Sequence, residues 1–233
     1  MENINENIIV CASNNQHKIV EIEAITAKFG MKVISRNDAG VPPFEIEEDG
    51  DTFEANSYKK AAEILAVCGK PTLADDSGLM VDYLDGAPGV YSARFAGLPA
   101  ARLSDGQDRQ GAPTDSGQER VDGENNKKLL ALMEGVPAEK RTAKFVSVIT
   151  MIFPAEDDKF KPGKVLVARG ECPGQVLTEE HGNGGFGYDP LFLPNGCDRT
   201  FAEISAEEKN AVSHRANALK ELERLLIENG YTK

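Results

Sequence analysis

The sequence predicts an α/β protein, and two observations carry that prediction. Short apolar runs suited to buried strands, such as Ile8-Ile9-Val10-Cys11-Ala12, alternate with longer stretches whose apolar residues recur at helical spacing. Glycines and prolines stand between them as stops. At 233 residues the chain is long enough to bury a substantial core, and its 40% hydrophobic and 27% charged content is that of a soluble globular protein. A formal net charge of −12 argues against a nucleic-acid partner, which needs a broad basic face. Small anionic ligands remain open where a few cations gather. Cys11, Cys68, Cys172 and Cys197 are widely spaced, with no paired motif, and read as free thiols of a reducing compartment. No run approaches a membrane span, and the basic start and apolar core of a secretory leader are missing, so the cytoplasm is the expected location.

The elements follow in order. After the first strand, the polar residues Ser13, Asn14, Asn15, Gln16, His17 and Lys18 lead into a helix marked by Ile19, Ile22, Ile25 and Phe29, with Gly30 at its end. A helix N-terminus behind a strand presents unpaired N–H groups and suits an anion. An ordinary cap by Ser13 or Asn15, with Lys18 in solvent, fits the same residues. The P-loop pattern is absent. A second strand is expected over 32–34. The acid-rich run 45–51 reads as a solvated loop or a source of metal ligands. A second helix starts near Thr52, with Asp51 and Glu54 at capping-box spacing and Phe53, Tyr58, Ala61, Ala62 and Leu65 as its apolar face. Asn56 and Lys60 lie one turn apart on it.

The chain is organised around residues 74–97, ADDSGLMVDYLDGAPGVYSARFAG. Asp75 and Asp76 follow a short apolar run and precede Ser77 and Gly78. Adjacent strand residues face opposite ways, so a strand ending at Asp76 turns at least one acid outward as a metal ligand or general base. A polar turn capped by Ser77 is the alternative. Residues 104–120 hold almost no apolar side chains and read as a mobile surface insertion, with a helix resuming near Glu124. Strands are expected over 143–153, 164–168 and 175–177.

The run 182–187 matches G-x-G-x-x-G, but Pro190 follows where a dinucleotide fingerprint needs a helix. A glycine loop bearing Phe186, Gly187, Tyr188 and Asp189 suits a flat ring instead, with Phe186 stacking and Asp189 accepting hydrogen bonds. A tight turn with Phe186 in the core is the alternative. Ser205 and Glu208 form a capping-box pattern ahead of Lys209. Ser213 can start a further helix, placing His214 and Arg215 at its mouth and Leu219, Leu222, Leu225 and Leu226 on its buried face.

Four blocks in this order, SNNQHK, ADDSGLMVDYLDGAPGVYSARFAG, GGFGYDPLF and EKNAVSHRANAL, make the chain resemble the inosine/xanthosine triphosphate pyrophosphatases, the Ham1-like enzymes that cleave non-standard purine nucleoside triphosphates. The resemblance spans nearly the whole chain. It implies one pyrophosphatase domain: a long mixed sheet flanked by helices, two lobes around a central cleft, Mg²⁺ dependence and a homodimer. By position, the triphosphate would meet Ser13, Asn14, Asn15, Gln16, His17 and Lys18, with Lys60 and Lys209 near it. Asp76 would bind Mg²⁺ and activate water, with Ser77 beside it. Glu48, or Glu47 in its place, would be the second metal ligand. Phe186, Gly187, Tyr188, Asp189, His214 and Arg215 would take the base. Asn14 stands where the family usually has glycine, and the 104–120 segment is longer than the family pattern. A pyrimidine triphosphate pyrophosphatase is the enzymatic rival, disfavoured by GGFGYD and SHR. A regulator that binds nucleotide without turnover is disfavoured by the intact Asp75-Asp76 and Lys18.

Overall fold

The computed structural model of the chain describes residues 8–13, 16–97 and 116–231, with the side chains of 16–18, 21 and 116–119 left aside. Its strands are β1 (Ile8–Cys11), β2 (Lys32–Ser35), β3 (Thr72–Val81), β4 (Thr142–Pro154), β5 (Pro162–Val176) and β6 (Phe192–Pro194). Its helices are α1 (Gln16–Thr26), α2 (Phe53–Cys68), α3 (Ser116–Leu132), α4 (Ala206–Val212) and α5 (His214–Glu228). The strands form a mixed six-stranded sheet in the order β2-β1-β3-β4-β5-β6. β1 runs parallel to β2 and β3, and β5 antiparallel to β6.

The chain forms two compact units. The first comprises Met1–Asp76, Ser147–Gly170 and Asn217–Lys233. β1 and the part of β4 in this unit are largely apolar because both faces are covered. Ile9, Cys11, Leu73, Ile149 and Met151 enter one cluster with Ile19 and Ile22 of α1 and Leu219, Leu222 and Leu226 of α5. The residues between them point the other way: Val10 packs with Ile64 of α2, and Ala74 and Ile152 with Ala61 and Leu65. Gly30 and Gly69, both in left-handed backbone, stop the first and second helical stretches.

The second unit comprises Ser77–Val146 and Glu171–Ala216. Its core is more aromatic: Phe145 lies edge-on to Phe192 at 4.7 Å, and Phe201 joins them. Leu129 of α3, Met133 just after it, and Leu79 and Val81 of β3 complete it. Gly78 belongs to this packing. A Cβ there would collide with Ser92 Oγ and the Gly89 carbonyl, so the strand needs glycine for the short 3-10 helix to approach.

Several expectations shift. β3 does not end at Asp76 but continues to Val81. The two strands expected at 164–168 and 175–177 are one, β5, fifteen residues long. β6 was not anticipated. Thr52, not Asp51, caps α2 by accepting the Ala55 N–H at 3.1 Å. On that helix Asn56 and Ser57 are buried, while Tyr58, expected on the apolar face, is 42% exposed. α3 starts at Ser116, eight residues before the expected Glu124, so 116–120 are helical. The rest of the expected mobile insertion, 104–115, lies outside the described residues.

Candidate active site

In the first unit the chemistry gathers where α2 meets β3. Lys60, on α2, extends its ammonium to three oxygens: Asp76 Oδ1 at 2.8 Å, the Asp75 carbonyl at 2.9 Å and Glu48 Oε1 at 2.9 Å. Strand alternation sends the two acids apart. Asp75 Oδ1 accepts the Ser147 hydroxyl of β4 at 2.6 Å, while Asp76 faces Lys60. Both are buried, at 8% and 7% exposure. Asp76 Oδ2 is buried with no hydrogen-bond partner among the described residues. Burial pushes the Asp76 carboxyl above the usual carboxylate range, against the pull of Lys60. Burial works against the Lys60 charge too, but Asp76 and Glu48 outweigh it and hold the ammonium above its ordinary value. An oxygen both anionic and unsatisfied is a poised acceptor, for a water proton or a hard cation.

Asn56 fixes the segment that delivers Glu48. Its Oδ1 accepts the Gly50 N–H at 2.8 Å, one helical turn from Lys60. Of the two candidate glutamates, Glu48 makes the Lys60 contact and Glu47 is exposed.

In the second unit a different set assembles. Phe186 sits on the glycine loop at 59% exposure, which excludes the core alternative. Lys209 of α4 lies 4.7 Å over its ring and pairs with Asp189 Oδ2 at 2.5 Å. Asp189 is only 2% exposed, and the same oxygen accepts the Phe186 N–H at 2.9 Å. Tyr188 is buried and donates its hydroxyl to the Ser92 carbonyl at 2.9 Å. Burial, helped by the Asp122 carboxylate, raises the Tyr188 phenol. Asp189 and Tyr188, both expected on the ligand, also hold the loop through these contacts. Lys209, expected at the triphosphate, joins this loop as well. The glycines serve the same end: Gly185 has φ of 72°, and a Cβ there would run into Asp189 Oδ2.

The helix break at Ser213 is present. Ser205 caps α4 with the full capping box, the helix ends at Val212, and Ser213 Oγ accepts the Ala216 N–H at 3.2 Å to start α5. His214 and Arg215 are therefore in the first turn of α5, both buried. His214 stacks on Phe145 at 4.9 Å.

Of the remaining expected residues, Ser13 follows β1 half-buried and Ser77 lies in β3. Gln16, His17 and Lys18 form the first turn of α1. The helix after β1 is present but starts at Gln16, inside the expected polar loop, while Asn14 and Asn15 lie outside the described residues. Sequence reasoning missed Ser147, Asp122 and Asn126. The last had a signal: Asn125-Asn126 is a pair of poor helix formers inside a helix, and both are buried. Among the described residues, no group of three or more His, Cys, Asp or Glu side chains is placed to hold a metal by itself.

These features define a class: an α/β protein with a mixed six-stranded sheet, a buried carboxylate–lysine centre and an exposed aromatic beside a lysine. Comparison with known proteins narrows it. The Ham1 family model matches residues 9–225, and the chain belongs to the Ham1 family. The dITP/XTP pyrophosphatase of Desulforamulus reducens is 43% identical over 219 residues, covering 94% of each chain. That of Clostridium perfringens is also 43% identical, over 91% of this chain and 94% of its own. Among solved structures, the Staphylococcus aureus Ham1 protein superposes with a TM-score of 0.77 at 35% identity, covering 95% of this chain and 99% of that one.

Proposed function

We propose that the protein hydrolyses non-standard purine nucleoside triphosphates (ITP, dITP and XTP) to the nucleoside monophosphate and pyrophosphate, and so cleanses the nucleotide pool. Identity of 43% over nearly the full length with proteins named dITP/XTP pyrophosphatase supports the substrate class. The observation that carries the chemistry is the buried, unpartnered Asp76 Oδ2 held beside Lys60.

In this reading water attacks the α-phosphorus. A P–O bond forms, the bond to the bridging oxygen breaks, and pyrophosphate leaves with its electrons. Asp76 orients the water and takes its proton, a role its raised affinity for protons suits. Lys60 keeps Asp76 and Glu48 in place, and Ser13 with the first turn of α1, including Lys18, receives phosphate oxygens at a helix N-terminus. Asp76 and Glu48 also fit Mg²⁺, since hard carboxylate oxygens suit it and one is unsatisfied. When bound, Mg²⁺ supplies charge neutralisation for the triphosphate and its leaving group.

For the base, Phe186 offers a stacking face, and Arg215, helped by His214, donates to the purine 6-oxo group. A 6-amino group presents a donor there instead, which disfavours ATP. The chain works as one pyrophosphatase domain, as a cytoplasmic homodimer; among the described residues no helix is long and apolar enough to cross a membrane.

The test is a pyrophosphate-release screen over ordinary and non-standard nucleoside triphosphates, with Mg²⁺ and with chelator. Pyrophosphate from ITP, dITP and XTP ahead of ATP and GTP, abolished by chelator, is the expected result. Release of orthophosphate, or a preference for ATP, overturns the assignment.

A further inference from the structure

The polar face of α3 has no part in the chemistry described so far, yet it grips the glycine loop from two sides. Asp122 Oδ2 accepts the Gly187 N–H at 2.7 Å. One turn on, Asn126 Nδ2 donates to the Gly187 carbonyl at 3.2 Å and to Glu180 Oε1 at 2.7 Å. The N–H and the carbonyl of one residue are thus both held by a single helix. Asn125, beside them, ties α3 to the 3-10 segment Gly89–Arg94 through the Ser92 carbonyl at 3.3 Å, and to the turn after it through the Ala96 N–H at 2.7 Å. Residue 186 itself is fixed through its N–H by Asp189, and residue 188 through its hydroxyl by Ser92.

Loops that only connect are seldom pinned at three successive residues, because each fixed residue costs conformational entropy. Here the pinned segment presents an aromatic ring at 59% exposure, under a lysine. We propose that Asp122 and Asn126 are positioning residues for base recognition: by clamping the Gly187 peptide groups they hold Phe186 as a fixed stacking platform. The proposal rests on the purine triphosphatase reading and adds α3 to its specificity apparatus. Neither residue touches the substrate.

The clamp makes a prediction that a general structural role does not. Asp122→Ala should raise KM for ITP about 10-fold or more, the scale of losing one hydrogen bond to a charged group, with a smaller change in kcat. Inhibition by inorganic tripolyphosphate, which has no base, should keep its Ki. Asp122→Asn, which retains an acceptor oxygen, should restore KM. Asn126→Ala should behave like Asp122→Ala and serves in its place if that variant does not fold. A second readout needs no turnover. The chain has no tryptophan, so Phe186→Trp introduces a single indole whose fluorescence anisotropy should fall when Asp122→Ala is added. An unchanged KM, an equal rise in KM and tripolyphosphate Ki, or failure of Asp122→Asn to rescue overturns the proposal. If the unmodified protein releases no pyrophosphate from any purine triphosphate, the functional reading fails; the anisotropy contrast still tests the clamp alone.

Discussion

Replacing Lys60 with methionine tests whether one buried ammonium organises the carboxylate centre. The side chain is 13% exposed and faces Asp76 (10%) and Glu48 (33%), with N···O separations of 2.8 and 2.9 Å. At an effective dielectric of about 20, each contact is worth roughly 6 kcal/mol before desolvation is subtracted. Desolvation removes most of that gain, so the intact cluster adds little net stability. Removing the cation is different, because it strands Asp76 in a site already costly for a charge. The expected loss is about 3–5 kcal/mol. Asp76→Asn leaves Lys60 with Glu48 and the Asp75 carbonyl, so it should cost no more than about 1–2 kcal/mol. Urea denaturation followed by far-UV circular dichroism separates the two. With a slope of roughly 2–3 kcal/mol/M, Lys60→Met should lower the midpoint by about 1–2.5 M. A shift under about 0.3 M for Lys60→Met, or a larger one for Asp76→Asn, would refute the reasoning.

Asp76→Asn should fold yet lose roughly 10²–10⁴-fold in turnover, measured as pyrophosphate release; near-normal activity would move the base elsewhere. Arg215→Ala should lower the ITP-over-ATP selectivity by about 10- to 150-fold, the worth of a charged donor, while Lys18→Ala slows both substrates alike. Equal slowing of both by Arg215→Ala would make it a phosphate contact. Gly185→Ala should destabilise by at least about 1–2 kcal/mol for left-handed backbone, and further because its Cβ displaces Asp189. Gly187→Ala, with nothing within 4 Å of its Cβ, should show the backbone cost alone, so equal losses for the two would exclude the Asp189 clash. Burial pushes the Cys172 thiol up to about 11. Its folded pKa lies above its unfolded one, so its contribution is full below about pH 8.5 and is lost as pH rises through about 11. At pH 8 a thiol reagent should label Cys68 and Cys197 ahead of Cys172; loss of the fast-reacting thiol in Cys172→Ala would contradict this.

What the sequence made legible is what local chemistry decides. β1 and β4 stand out as apolar runs covered on both faces, and the α4–α5 break follows from Ser213 alone. Elements fixed by distant partners did not show. Asp75-Asp76 looks like a strand end because two acids inside a buried strand are costly. The strand passes through them because Ser147, 72 residues away, donates to the Asp75 carboxylate, and Lys60, 15 or 16 away, donates to the Asp75 carbonyl and to one oxygen of Asp76. The buried face of α2 failed likewise: Ser57 is inside because its hydroxyl meets Thr150 Oγ1 at 2.7 Å, a contact 93 residues apart. β5 was split in two because Gly170, Pro173 and Gly174 interrupt its apolar pattern, yet its far end pairs with β6.

The positions where local rules failed are not scattered. Asp75, Asp76, Asn56 and Ser57 lie on the two elements that hold Lys60, and Asn125, Asn126, Tyr188 and Asp189 lie on the glycine loop or the helix that grips it. Each places a polar group where an apolar one would pack at lower cost. If these groups served stability alone, apolar replacements of equal volume would do as well or better, as buried ion pairs often show. Their joint presence at the carboxylate centre and under Phe186 argues that the fold holds them for orientation. Among the described residues, Asp76 keeps one buried oxygen unsatisfied, and Phe186 keeps its ring exposed. Both are arrangements that free energy of folding opposes and that only a rigid surrounding network maintains.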